Sequence, residues 1–212
     1  MQHANPHASL LPALVSAIAA GDRTAVAKML ATSPGLARER AVDGATRRAA
    51  SAHYLHAIEH YVYVGDTALH IAAAAYQKDI VENLIALGAD VRARNRRGAE
   101  PLHYAADGRP GSRAWNPQAQ AAAIACLVGA GADPNALDNG GVTPLHRAVR
   151  TRCAAAVQAL LEAGAVILAK NKSGATPLRL AIQNTGRGGS GSAEAKAQQQ
   201  EIRRLLGDSR GR

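Results

Sequence analysis

The chain has 212 residues, 47% of them hydrophobic, and a formal net charge of +9 from 25 Lys and Arg against 16 Asp and Glu. Its length suffices to bury a core without covalent staples, and its two cysteines, Cys126 and Cys153, lack C-x-x-C spacing, which excludes a disulfide framework and a zinc-binding cysteine cluster. Only 3% of residues are aromatic and Phe is absent, so the core must be Ala, Leu, Val and Ile in closely packed helices, while the basic excess favours acidic surfaces, nucleic acid or anionic lipid as partners.

Residues 1–9, with His3 and His7, read as a disordered tail. Leu10 to Ala20, LLPALVSAIAA, is apolar enough to suggest a secretion signal, but no Lys or Arg precedes it. It is also too short to span a bilayer. The stretch therefore reads as a buried helix, which leaves no membrane span and makes the cytoplasm the expected compartment. Residues 41–61 carry ATRRAASAHYLHAIEHY, which reads as a helix leading into an extended run at residues 61–64. Within it His56 and His60 stand four apart, as a metal-binding pair on one helix face would, but a third ligand is missing and Tyr54 and Ile58 give the segment a packing role.

From residue 62 onward one phrase returns: GDTALHIA from Gly65, GAEPLHYA from Gly98, GVTPLHRA from Gly141 and GATPLRLA from Gly174, at intervals of 33, 43 and 33 residues. A second phrase follows at fixed distance, GAD at Gly88 and Gly131 and GAV at Gly164. Between the phrases lie apolar pairs such as Leu84 with Ile85 and Leu160 with Leu161. The spacing of Leu14 to Met29 and Leu30 repeats that of Leu145 to Leu160 and Leu161, which marks residues 10–40 as an earlier, decayed copy.

These phrases resemble the ankyrin-repeat family, whose unit is a β-turn followed by two antiparallel helices and whose signature is T-P-L-H-x-A. The resemblance covers about residues 61–206 and implies an all-α solenoid of helix-turn-helix units with β-turn fingers. It divides the chain into a degenerate capping repeat at 10–40, the insertion at 41–61, repeats at 62–94, 95–137, 138–170 and 171–206, and a tail at 207–212. Gly supplies the turn, Thr caps the first helix, and Pro takes the first helical position, where its missing N–H is harmless. Gly of GAD then closes the second helix in a left-handed conformation. The resemblance assigns His70, His103 and His146 to hydrogen bonds with the turn and between neighbouring repeats. Arg179 stands at that place in the last repeat.

Insertions distinguish this chain from a plain stack. One, DGRPGSRAWNPQAQ, lies between the helices of the 95–137 repeat and holds the chain's only Trp. Another, NTGRGGSGSAEAKAQQQ, takes the matching place in the last repeat. Both should emerge at the end of the stack opposite the fingers, beside the short turn bearing Arg150 and Arg152. That placement assembles Arg109, Arg113, Trp115, Arg150, Arg152 and Arg187 into a patch suited to phosphate or carboxylate. Alternatively Trp115 folds back as a plug over the helix ends and the arginines are solvated. A second basic group, Arg92, Arg94, Arg96 and Arg97, crowds one finger, as recognition residues or as a solubilising charge run, with Lys170 and Lys172 in the last finger.

GRGGSGS from Gly186 lacks the Lys of a phosphate-binding loop and reads as a flexible connector. Cys153 has no evident base beside it. The expectation is a non-catalytic protein-binding module or scaffold without metal or cofactor, its partner presenting an acidic surface. The alternative is a binder of an anionic small molecule or nucleic acid at the insertion patch.

Overall fold

The computed structural model describes residues 10–182 and 193–208. Its helices pair as α1 (Leu11–Ala20) with α2 (Arg23–Thr32), α3 (Ala68–Ala74) with α4 (Lys78–Ala86), α5 (Pro101–Ala105) with α6 (Pro117–Gly129), α7 (Pro144–Thr151) with α8 (Ala154–Glu162), and α9 (Pro177–Ile182) with α10 (Ala193–Asp208). First helices stack on first helices, and from α4 onward second helices stack on second helices, so the fold is an all-α solenoid of two helical layers. Leu14, Leu69, Leu102 and Leu145 on the first helices, and Leu84, Leu127 and Leu160 on the second, have no exposed surface. They recur at the repeat period and form one continuous core.

In the three repeats that carry its His, the signature phrase acts at three bonds. In the repeat formed by α7 and α8, Thr143 Oγ1 accepts from the His146 N–H at 3.2 Å, and His146 Nδ1 accepts from the Thr143 N–H at 3.2 Å, a reciprocal cap that satisfies both ends of the first turn. With Nδ1 accepting, the ring proton sits on Nε2, which donates to the Ala175 carbonyl of the next repeat at 3.0 Å. His70 reaches the Ala99 carbonyl at 3.1 Å and His103 the Val142 carbonyl at 3.0 Å in the same way. Each imidazole thus closes its own helix and bolts it to the following finger. Gly88, Gly131 and Gly164 have φ of 85°, 98° and 86°, the left-handed ends expected for the second helices.

The fingers are short antiparallel turns joined edge to edge. Asn95 N–H donates to the Ala99 carbonyl and Asp138 N–H to the Val142 carbonyl, closing each finger, while Arg96, Asn139 and Lys172 N–H groups donate to the carbonyls of Val64, Arg97 and Gly140 of the preceding finger.

The first insertion departs from expectation. It contains no α-helix: two 3₁₀ turns, Ser51–His53 and His56–Ile58, accompany a two-stranded hairpin of β1 (Tyr54–Leu55) and β2 (His60–Tyr61). Its ends are tied by Ala41 N–H to the Asp66 carbonyl and Ala45 N–H to the Val62 carbonyl, both 2.7 Å. The segment is therefore one greatly elongated finger, and the helical spacing of His53, His56 and His60 does not exist in it. The second insertion is partly absorbed into structure. Its last four residues, Pro117–Gln120, begin α6, capped by Asn116, whose Oδ1 accepts from Ala119 N–H at 2.9 Å. Most of the third insertion, with Arg187 and the Gly-rich run, lies outside the described residues; its last residues open α10, and Gln198 Oε1 accepts from Ala154 N–H at 2.9 Å.

Candidate functional site

The elongated finger does not project into solvent. It folds over the first-helix face, and together with residues 107–115 it encloses a cleft of about 690 Å³. One wall is the hairpin and its return strand, from Ile58 to Tyr63; the second and third fingers contribute Asn95 to Arg97 and Asp138 to Gly140; Tyr104, Arg147 and Arg150 come from the first helices. Glu59 at the hairpin tip pairs with Arg109 of the 107–115 loop at 3.3 Å, so the two insertions tie to each other.

The base of the cleft is a buried polar network. Asp66, 1% exposed, accepts from the Tyr104 hydroxyl at 2.8 Å and from Asn95 Nδ2 at 2.8 Å. Beside it the buried Arg147 guanidinium donates to Asp107 Oδ2 at 2.8 Å and to Asp138 Oδ2 at 3.3 Å. Burial opposes the Arg147 charge, but the two carboxylates outweigh it and hold it cationic. Asp138 itself sits below the usual carboxylate range: partial burial pushes it up, and the N–H groups of Val142 and Gly140 with Arg147 more than reverse that. Arg147 Nε is buried without a partner among the described residues. The half-buried His60 packs on Tyr104 with ring centroids 4.4 Å apart and planes tilted by 36°, and loss of solvent lowers its pKa.

The 107–115 loop is anchored from beneath. The Tyr76 hydroxyl donates to the Asp107 carbonyl at 2.5 Å, and Trp115 Nε1 donates to Gln120 Oε1 at 2.9 Å. Gly108 is required here, because a Cβ would lie 2.7 Å from Cys153 Sγ and 2.9 Å from the Tyr76 hydroxyl. Cys153 is fully buried under this loop and burial pushes its thiol up to about 11, so at neutral pH it holds its proton and is no nucleophile.

Of the residues assigned to the insertion patch, Arg109, Trp115 and Arg150 do come together in the cleft. Trp115 combines both readings open from sequence: it packs against the core as an anchor and presents part of its ring to the cleft. Arg113 is exposed but does not line the cleft. Arg152 is a correction: it caps α7 at φ 63° and is only 4% exposed, which removes it from any solvent-facing patch. Arg187 lies outside the described residues.

The finger arginines are exposed, yet each is also a tie between repeats. Arg92 Nε donates to the Gly131 carbonyl at 2.9 Å, Arg94 to the Leu137 carbonyl at 2.7 Å, Arg96 to the Ala45 carbonyl, and Arg97 to the Tyr63 hydroxyl at 3.0 Å. Arg96 and Arg97 line the same cleft as Arg109 and Arg150, so two basic groups that were separate in the sequence meet in one place. Sequence reasoning missed Arg147, Asp107 and Asp138, since nothing local marks residues from two repeats as partners. It also missed the exposed apolar side chains Leu137, Val166 and Leu168 on the third and fourth fingers. Val166 and Leu168 could have been found, because they stand where the preceding repeat has Asp133 and Asn135.

Residues 14–112 match the family model described as ankyrin repeats in three copies, and residues 127–181 match that described as ankyrin repeats in many copies. No curated protein matches the chain.

Proposed function

Because the chain belongs to the ankyrin-repeat family, whose members generally serve protein–protein interaction, we infer that it is a non-catalytic binding module that docks a protein partner along its fingers. The observation that carries this reading is the finger surface, where Leu137, Val166 and Leu168 are 50%, 50% and 61% exposed in the company of the exposed Arg92, Arg94, Lys170 and Lys172. Exposed apolar side chains on the same fingers as cations suit a partner with an acidic surface and its own apolar anchors. The bonded state of Arg92 and Arg94 supports it further, because a guanidinium held by a carbonyl loses less freedom on binding.

A non-catalytic role agrees with the chemistry on view. The Cys153 thiol is buried and protonated, and Asp107 and Asp138 are engaged by Arg147. No group of three His, Cys, Asp or Glu among the described residues is placed to hold a metal. Both cysteines are free thiols, which suits a reducing compartment such as the cytoplasm. No described helix is long and apolar enough to cross a membrane. The test is affinity capture from native lysate with the wild type and with the paired substitution Arg92→Glu and Leu168→Glu, both at exposed positions. Specific partners retained by the wild type and lost from the folded variant are the expected result; identical capture by both would remove the finger surface from consideration.

A further inference from the structure

The chain has six aromatic residues, five Tyr and one Trp. Five of them, Tyr61, Tyr63, Tyr76, Tyr104 and Trp115, line the cleft, and the sixth, Tyr54, packs on Tyr61 with ring centroids 4.7 Å apart. The helix pairs are otherwise packed with Leu, Ile, Val and Ala. Ring surface is thus concentrated where the two insertions meet the first-helix face.

Charge is concentrated in the same place. The guanidinium groups of Arg96, Arg97, Arg109, Arg147 and Arg150 face the three carboxylates of Glu59, Asp107 and Asp138. With the buried Asp66 at the base counted as a fourth carboxylate, an excess of one positive charge lies in a partly enclosed space, where a field is screened less than on an open surface. Backbone strain gathers there too. Among the described residues three non-glycine positions have left-handed φ: Glu59 at 52° and Tyr76 at 56° line the cleft, and Arg152 at 63° follows its lining residue Thr151. Such conformations cost about 1–2 kcal/mol each and persist where surrounding structure enforces them.

We propose that this cleft is a binding site for a small organic anion carrying a planar ring, an aryl phosphate or carboxylate in chemical class. Its volume of about 690 Å³ lies in the range of small-ligand sites, roughly 300–1,000 Å³. Tyr61 is 37% exposed and offers the ring a face. Tyr63 lies 6.3 Å farther along, with the Arg97 guanidinium 4.9 Å and the Arg96 guanidinium 5.7 Å from its centroid. A ring stacked on Tyr61 has paired guanidinium donors within reach of its oxyanion, and Arg109, held at the hairpin tip by Glu59, adds a third cation to the same cleft. A protein segment is the weaker occupant, because the Glu59–Arg109 pair already joins the two walls. The residues that carry the docking reading, Leu137, Val166 and Leu168 with Arg92 and Arg94, do not line the cleft, so failure of this site leaves protein docking untouched.

Trp115, the only Trp in the chain and a lining residue, provides the readout. The purified full chain is titrated with phenyl phosphate, benzoate, inorganic phosphate and phenol under selective tryptophan excitation. Phenyl phosphate or benzoate should give a saturable change, and the stronger of the two identifies the oxyanion. Inorganic phosphate and phenol should bind at least about tenfold more weakly. Arg97→Gln and Arg109→Gln should each weaken the aryl anion by about tenfold or more while keeping the wild-type thermal midpoint. Arg97 also bonds the Tyr63 hydroxyl, so if Arg97→Gln unfolds, Arg109→Gln, exposed and paired at the surface, decides the matter. The proposal is overturned by the absence of a saturable change with both aryl anions up to about 10 mM, by equal affinity for inorganic phosphate, or by undiminished binding in the folded variant. Binding of a poly-glutamate peptide without either aryl anion would overturn it in favour of a protein occupant.

Discussion

Acidification should loosen this stack at its histidine bolts, and His103 allows the effect to be worked through. Its ring is fully buried, Nδ1 accepts from the Glu100 N–H at 3.1 Å, and Nε2 donates to the Val142 carbonyl of the next repeat at 3.0 Å. A second proton must enter at Nδ1, where it would face an N–H in place of a lone pair. Burial, reinforced by the nearby Arg147 charge, lowers the pKa from 6.5 to about 4. Since the folded value lies below the unfolded one, the stabilisation is complete above pH 6.5 and is lost as pH falls toward about 4. The gap corresponds to about 3 kcal/mol in full, and to about 2 kcal/mol lost between pH 7 and pH 5. Urea melts of the wild type and of His103→Gln at pH 7, 6 and 5 test this. The variant should start less stable but fall less steeply with acid, narrowing the difference by about 2 kcal/mol at pH 5. Parallel pH slopes for the two proteins would refute the assignment of a buried neutral imidazole. His70 and His146, whose pKa values burial lowers in the same direction, should add to the wild-type slope.

Other expectations follow from single contacts. Tyr76→Phe removes the hydroxyl bonded to the Asp107 carbonyl and should lower stability by about 1 kcal/mol in denaturant melts while speeding hydrogen exchange in residues 107–115. An aromatic thiol reagent should modify the half-buried Cys126 in the native protein and reach the fully buried Cys153 only on unfolding; equal rates would show that the 107–115 loop opens freely. Leu160→Ala empties a fully buried position between the two layers and should cost about 2–5 kcal/mol, seen as a large drop in the thermal midpoint.

The repeats were legible because each is specified by local chemistry. A Thr or its equivalent before the helix, His three residues later and Gly after the second helix each satisfy backbone groups within one unit, so the phrase and the structure carry the same information. The last repeat shows this by exception: Arg179 replaces the bolt histidine, and Thr176 alone caps α9, accepting from the Arg179 N–H at 3.1 Å. The first insertion was misread for a reason equally physical. Its Ala-rich run and its histidine spacing favour a helix locally, but the backbone bond between Ala45 and Val62 brings the two ends together at 2.7 Å. A helix over residues 46–61 would hold those ends about 24 Å apart at 1.5 Å per residue. Closure of the finger, a long-range condition, decides against the local preference.

The cleft was half legible. Two of its ingredients stood out as separate oddities, two clusters of arginine and a lone Trp in an insertion, while the clustering of Tyr54, Tyr61 and Tyr63 passed unremarked. What no spacing could reveal is that the elongated finger turns back over the second finger and the 107–115 loop, because the groups that fix its path, the Ala45 carbonyl bonded by Arg96, Tyr63 by Arg97 and Glu59 by Arg109, lie 51, 34 and 50 residues from their partners. The same bonds explain why arginines rather than lysines occupy these places. A guanidinium can hold a carbonyl with one N–H and still direct others toward a ligand, whereas an ammonium is a compact point charge without that fork. Arg109→Lys should therefore keep much of the pairing with Glu59 yet weaken an aryl phosphate more than charge conservation alone would suggest. Equal affinity in the wild type and in the Arg109→Lys variant would reduce the cleft to a field of positive charge without directed recognition.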